Sequence, residues 1–272
     1  MSSDFEFQRL ITVGQYLPTG SPVHRLDPRA RLLAGLFILA GLTVAPRAQG
    51  VGIVLLGLVG LLLLARVPLG YALRGLLPPL PFILLLALLQ VLLNDLGTEV
   101  LLQVGPVAVT LGDLEFALLL LVRFAGLILI ISLISFTIST PEIVRGLASL
   151  LHPLAVLGLP THEFVLMVQV SLRFLPLLAQ EAERIAKAQA SRGAEWGTGR
   201  GGLLRRARRA LPLIVPLFLT ALRRAERLAE AMEARGYHGG QGRTSMVTLR
   251  WRAADTLALL VGAGLGAAAL LL

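Results

Sequence analysis

Five stretches of this chain are almost free of charge: 32–45 (LLAGLFILAGLTVA), 51–65 (VGIVLLGLVGLLLLA), 76–93 (LLPPLPFILLLALLQVLL), 116–136 (FALLLLVRFAGLILIISLISF) and 254–272. A helix needs about 20 apolar residues to cross the roughly 30 Å hydrocarbon core of a bilayer. The fourth and fifth stretches reach that length. The first two are shorter and predict a close hairpin or a locally thinned bilayer. The third is interrupted by PPLP, which predicts a broken or kinked helix because proline removes a ladder hydrogen bond. Composition agrees: 56% of the residues are hydrophobic and only 15% are charged, where a soluble domain carries about 25%. The chain reads as an all-α polytopic membrane protein with about five transmembrane helices.

Charge placement orients it. Residues 75–122 hold Asp95, Glu99, Asp113 and Glu115 but no Lys or Arg, whereas 141–252 hold 17 basic residues. Arg9, Arg25, Arg29 and Arg31 precede the first run, and Arg66 and Arg74 flank the turn after the second. The positive-inside rule then predicts a cytoplasmic N-terminus, 66–74 turn and 141–250 region, with the 94–114 loop outside. Arg47 is the one basic residue against the trend. The opening MSSDFEFQRLITVGQYLP is polar and lacks a basic-then-apolar pattern, so no cleavable leader is expected.

Three parts follow: residues 1–140, a cytoplasmic lead-in and four crossings; 141–250, a cytoplasmic region of amphipathic helices; and 251–272, a last crossing whose Gly and Ala suit close helix packing. In the middle part, Thr140-Pro141-Glu142 predicts a helix start, with Thr140 as the cap. A break at Gly158–Thr161 precedes a long helix over about 162–191, with an apolar stripe of Leu175, Leu178, Ala182 and Ile185. After GTGRGG (197–202), another helix runs from about 203 to Gly236. Its stripe is Leu222, Ala225, Leu228 and Met232.

These two helices end alike. EAERIAKAQASRG (181–193) and RAERLAEAMEARG (224–236) share seven of thirteen residues without a gap. Either Arg-Gly alone is explained by a helix C-cap, with Gly relieving left-handed strain and Arg complementing the dipole. The duplication asks for more. Two equivalent helix ends imply two equivalent receiving sites, as on a partner of twofold or pseudo-twofold symmetry, with Arg192 and Arg235 projecting into pockets there.

Several chemistries are excluded. No cysteine is present, so disulfides and thiolate catalysis are ruled out. His24, His152, His162 and His238 share no metal-ligand spacing, and no catalytic triad elbow or carboxylate dyad appears. A Walker A lysine follows glycine, whereas the sole Lys187 follows Ala186. The run GRGGLLRRARRAL lacks interleaved aromatics, so lipid headgroups suit it better than nucleic acid. Arg123, about eight residues inside the fourth run, is expected near mid-bilayer, either as a functional charge or bonded to backbone carbonyls.

Four stretches resemble, in order, the transmembrane (T) component of energy-coupling factor transporters, the EcfT/CbiQ family: SPVHRLDPRARLL (21–33), TPEIVRGLASLLHPLAVLGLP (140–160), SLRFLPLLAQEAERIAKAQASRG (171–193) and PLFLTALRRAERLAEAMEARGY (216–237). The resemblance implies that the triplets Ser191-Arg192-Gly193 and Ala234-Arg235-Gly236 end two coupling helices and dock on two ABC-type ATPase subunits. Ser191 departs from the commoner Ala, with the Arg kept. It implies that ATP and Mg sit on those partners, that this chain binds no cofactor and no metal and has no catalytic residue, and that a small membrane S component holds the vitamin or transition-metal ion. Asp27, Pro28 and Arg29 belong to the family pattern and read as a structural motif. A prokaryotic inner-membrane location follows. The competing expectation is a channel or secondary transporter with its own substrate path, which predicts inverted repeats and several intramembrane polar groups. A membrane enzyme would need a convergent nucleophile or metal set.

Overall fold

The computed structural model describes residues 16–93, 100–104, 107–151, 153, 161–193, 203–239 and 249–271. The Gly158–Pro160 break, the GTGRGG stretch, Asp95, Glu99 and the side chains of Arg205, Arg206, Arg208 and Arg209 lie outside the described residues. Nine helices are described: α1 (Pro28–Val44), α2 (Ala48–Leu64), α3 (Leu69–Arg74), α4 (Leu80–Leu93), α5 (Leu111–Thr137), α6 (Thr140–Leu151), α7 (Thr161–Ser191), α8 (Leu203–Ala234) and α9 (Ala253–Leu271). A short antiparallel hairpin, β1 (Val100–Val104) and β2 (Val107–Thr110), precedes α5. The sequence reading had a loop over 94–114; VLLQV and VAVT carry the β-branched residues that favour pairing.

Contacts divide the chain into two compact units. One holds residues 14–150 and 247–272, and the other holds 151–246. The division falls ten residues after the boundary read from sequence at 140, because α6 packs on α1: Gly146 lies against Leu32 and Pro28.

In the first unit α1, α2, α5 and α9 surround a core that includes Ile38, Leu42, Val54, Leu58, Leu62 and Ile130. α1 and α9 run parallel at backbone distance. A Cβ on Gly41 would fall 2.4 Å from the Gly266 carbonyl oxygen, and one on Gly262 would fall 2.6 Å from the Ala34 Cα. Small residues let membrane helices approach this closely, where packing replaces the hydrophobic effect as the driving force.

By length and hydropathy alone, α5, α7 and α9 could cross a membrane, and α2 and α4 are shorter apolar helices. α4 has 14 residues because Pro78 and Pro79 delay its start to Leu80, placing the predicted break ahead of the helix. α5 starts at Leu111, five residues before the apolar run, because Thr110 and Asp113 form a buried capping box. The Asp113 carboxylate accepts from the Thr110 N–H at 3.0 Å and from its hydroxyl at 2.6 Å. At α6 the cap is Ser139 and not Thr140: Glu142 Oε2 accepts from the Ser139 N–H at 3.0 Å.

The second unit is the α7–α8 pair. Ion pairs Glu181–Arg184 and Glu183–Lys187 mark the second half of α7 as polar, confining any hydrocarbon-facing stretch to its first half. Ala179 and Ala186 are the buried residues of α7, with Leu178, Ala182 and Ile185 half-buried beside them and Leu175 exposed. On α8, Leu228 and Met232 are half-buried, whereas Leu222 and Ala225 are exposed, correcting half of that stripe. Leu213, Leu217, Ala221 and Arg224 are half-buried in their place. Arg224 lies over the Phe174 ring at 5.9 Å. Pro216 has no N–H to offer the Pro212 carbonyl, and the Gln189 side-chain amide of α7 donates to that oxygen at 3.5 Å.

Candidate functional site

The repeated helix ends are built alike in three dimensions. α7 stops at Ser191 and α8 at Ala234, placing Arg192 and Arg235 at the C-cap and Gly193 and Gly236 one residue beyond. Both glycines are left-handed, with φ of +85° and +76°, a conformation that costs other residues a Cβ clash. Gly193 N–H donates to the Ala190 carbonyl at 3.0 Å, and Gly236 N–H donates to that of Glu233 at 2.9 Å. At the second end, Tyr237 N–H also donates to the Met232 carbonyl at 3.0 Å, closing a Schellman motif. Ser191, Arg192, Gly193, Ala234, Arg235 and Gly236 are all exposed. Among the described residues neither arginine makes an ion pair. Each guanidinium is therefore carried past the end of its helix with its donors unspent, available to a carboxylate or carbonyl on another surface.

The Asp27-Pro28-Arg29 motif builds a junction at the start of α1. Asp27 is the N-cap, accepting from the Arg29 N–H at 2.9 Å, and Pro28 occupies the first helical position, where no N–H is needed. Arg29 closes a fork on Asp27, Nε to Oδ1 and Nη2 to Oδ2, both at 3.1 Å. Burial pushes the Asp27 carboxyl up, but hydrogen bonds from the Arg29 side chain and backbone, with the charges of Arg29 and Arg31, outweigh it and hold it below its usual value. Arg29 also donates to the Ser149 hydroxyl at 3.2 Å and stacks over Trp251.

Sequence reasoning missed the other half of this junction. Arg31, only 6% exposed, donates to the Thr137 carbonyl and pairs with Glu142 at 3.4 Å. Asp255, 1% exposed, accepts from the Asp27 N–H at 2.7 Å. The available signal was charge at the edge of apolar runs, since Arg31 and Asp255 are the ionisable residues flanking 32–45 and inside 254–272.

Arg123 is half-buried on α5. It donates to the Ala45 carbonyl at the C-cap of α1, while the other end of α1 is level with Thr137 through Arg31. The 17 residues of α1 thus lie alongside 123–137, and α5 extends for its first 12 residues beyond them. Arg123 makes the backbone carbonyl bond, a cation on the carbonyl end of a helix dipole.

An apolar cavity of ≈ 280 Å³ lies between α1, α2, α5 and α9. Arg31 and Thr137 are its polar side chains; Thr137 donates to the Leu133 carbonyl at 2.6 Å, and Arg31 is engaged through Nη1 and Nη2 while its buried Nε has no partner among the described residues. Such walls do not match a vitamin's polar groups or a hydrated metal ion. Among the described residues no cluster of three His, Asp or Glu could hold a metal.

A family model described as cobalt transport protein (CbiQ) matches residues 19–246. The energy-coupling factor transporter transmembrane protein EcfT of Heliobacterium modesticaldum is 40% identical over 214 residues, 79% of each chain. The proteins of the same name from Bacillus subtilis and Thermosediminibacter oceani are 40% and 37% identical. They cover 78% and 94% of this chain, and 79% and 95% of their own. With its membrane-length helices and this similarity over most of its length, the chain belongs to the CbiQ family of cobalt transport proteins, a transmembrane component of the energy-coupling factor type.

Proposed function

We propose that this chain is the energy-coupling scaffold of an importer, carrying ATP-driven motion of two cassette ATPase subunits to a substrate-binding S component. The observation that carries this reading is the pair of C-caps: two helix ends of one design, each with an exposed arginine that makes no ion pair among the described residues. Arg192 and Arg235 dock on the ATPases, and Gly193 and Gly236 stop the helices so that the side chains project. The two ends of the α7–α8 unit lie on the cytoplasmic side, as does the N-terminus, and the membrane is the prokaryotic inner membrane.

The S component brings the vitamin or transition-metal ion, and ATP with Mg is bound and hydrolysed by the partners. This chain holds no cofactor and performs no catalysis. Supporting a membrane partner, Met167, Ile214, Phe218 and Leu219 are exposed apolar residues on the α7–α8 unit, and a bundle partner would bury them. A substrate path of its own finds no support in a cavity walled by hydrocarbon.

The test is co-purification with the ATPase pair, followed by ATPase and uptake assays in liposomes carrying an S component. Wild type is compared with Arg192→Ala, Arg235→Ala and the double variant. Loss of assembly or coupling in the double variant is expected. Normal assembly and uptake would reduce the two ends to plain helix caps and sink the docking reading.

A further inference from the structure

We infer that residues 27–31 form the joint through which movement of the α7–α8 unit is delivered to the membrane helices, an inference that rests on the coupling role proposed above. The chain enters the α7–α8 unit from α6 and leaves it toward α9. Both helices are tied to the same short segment of α1, and by the same device.

On α6, Glu142 divides its carboxylate. One oxygen accepts from the Ser139 N–H at 3.0 Å and caps its own helix, while the other faces Arg31 Nη2 at 3.4 Å. On α9, Asp255 does likewise: Oδ2 accepts from the Arg252 N–H at 2.7 Å and Oδ1 from the Asp27 N–H at 2.7 Å. Capping alone needs one acceptor oxygen, which Ser or Thr also supplies. The second oxygen in each case is spent on α1. A further tie, Arg29 to Ser149, holds the last turn of α6 to the same segment.

Such ties are stiff. The Arg31 side chain is 4% exposed, and separating it from Glu142 would strip a buried cation of its directly paired carboxylate. A displacement of α6 or α9 is therefore carried into α1 and not absorbed at the contact. α1 in turn meets α9 at backbone distance along their length, so the two move as one body. Glu142, Asp255 and Arg31 are positioning residues in this scheme, acting through helix placement.

The test uses the assembled transporter in liposomes, with Glu142→Gln, Asp255→Asn and the two combined. Glutamine and asparagine keep an acceptor for the capping N–H and lose the charge. The expected result is intact assembly, ATPase activity within about twofold of wild type, and uptake per ATP lowered about tenfold or more in the combined variant.

A second measurement needs no weakened protein. The chain has no cysteine, so Leu147→Cys on α6 and Leu257→Cys on α9, both exposed, accept a spin-label pair on a silent background. Their separation is expected to stay constant through the nucleotide cycle, while a pair joining Leu147→Cys to α4, at Leu88→Cys, shifts. Unchanged uptake per ATP in the combined variant, or a Leu147–Leu257 distance that varies with nucleotide, overturns the inference. Failure of the wild-type complex to assemble or couple is a different result and refutes the scaffold reading itself.

Discussion

Gly264 and Gly266 lie on one helix, two residues apart, and the structure gives them opposite responses to a single added methyl group. A Cβ on Gly264 would meet nothing within 4 Å. A Cβ on Gly266 would fall 2.4 Å from the Phe37 carbonyl oxygen and 3.0 Å from its carbon. Those atoms are backbone and cannot rotate away, so α1 and α9 must separate by on the order of 1 Å at the crossing. Overpacking of this kind costs about 1–3 kcal/mol, and the loss of close contact along the crossing adds to it. For a chain of this size that is a fall of roughly 2–12 °C in unfolding midpoint. Gly41→Ala, whose Cβ would fall 2.5 Å from the Gly266 Cα, should behave like Gly266→Ala. Gly264→Ala should be neutral or slightly stabilising, since alanine is the better helix former. Thermal unfolding in one detergent, followed by size-exclusion chromatography after heating, reads all three. Equal midpoints for Gly264→Ala and Gly266→Ala would refute the backbone-to-backbone crossing.

Arg123→Leu leaves the Ala45 carbonyl without its donor and should cost about 1–3 kcal/mol in the same unfolding assay. Uptake lost at unchanged midpoint would instead give Arg123 a direct functional role. Asp27 has a folded value below its ordinary 3.8, so the stability it lends is fully present above that pH and is lost as pH falls through the folded value. The midpoint gap between wild type and Asp27→Asn should therefore hold from neutral pH to about 4 and close below it. A gap that closes nearer pH 6 would assign the effect to another group.

The sequence made visible whatever is local. Leucine runs mark the membrane helices because bilayer thickness sets a minimum apolar length. The Arg-Gly ends are legible because a left-handed C-cap demands glycine within one residue of the stop, and Gly193 and Gly236 adopt that conformation. The helix start at 140 was legible to within one residue, since Ser139 and Thr140 are both good caps and only geometry chooses between them.

What stayed hidden was distant. Asp27 and Asp255 meet across 228 positions, and Arg31 reaches Thr137 across 106. One chain read by itself carries no record of such pairings. In the α8 stripe, Leu222 and Ala225 carry the right periodicity and face outward, because periodicity reports an apolar face and not which partner covers it.

Proline 216 has a consequence beyond the local ladder. A helix bends most easily where a rung is missing, and here the missing rung lies at the Pro212 carbonyl, the atom that Gln189 of the neighbouring helix grasps. The soft point of one arm is thus fastened to the other. Bending α8 at that point changes the Gln189–Pro212 separation, so this exposed contact registers any flexing of α8 against α7.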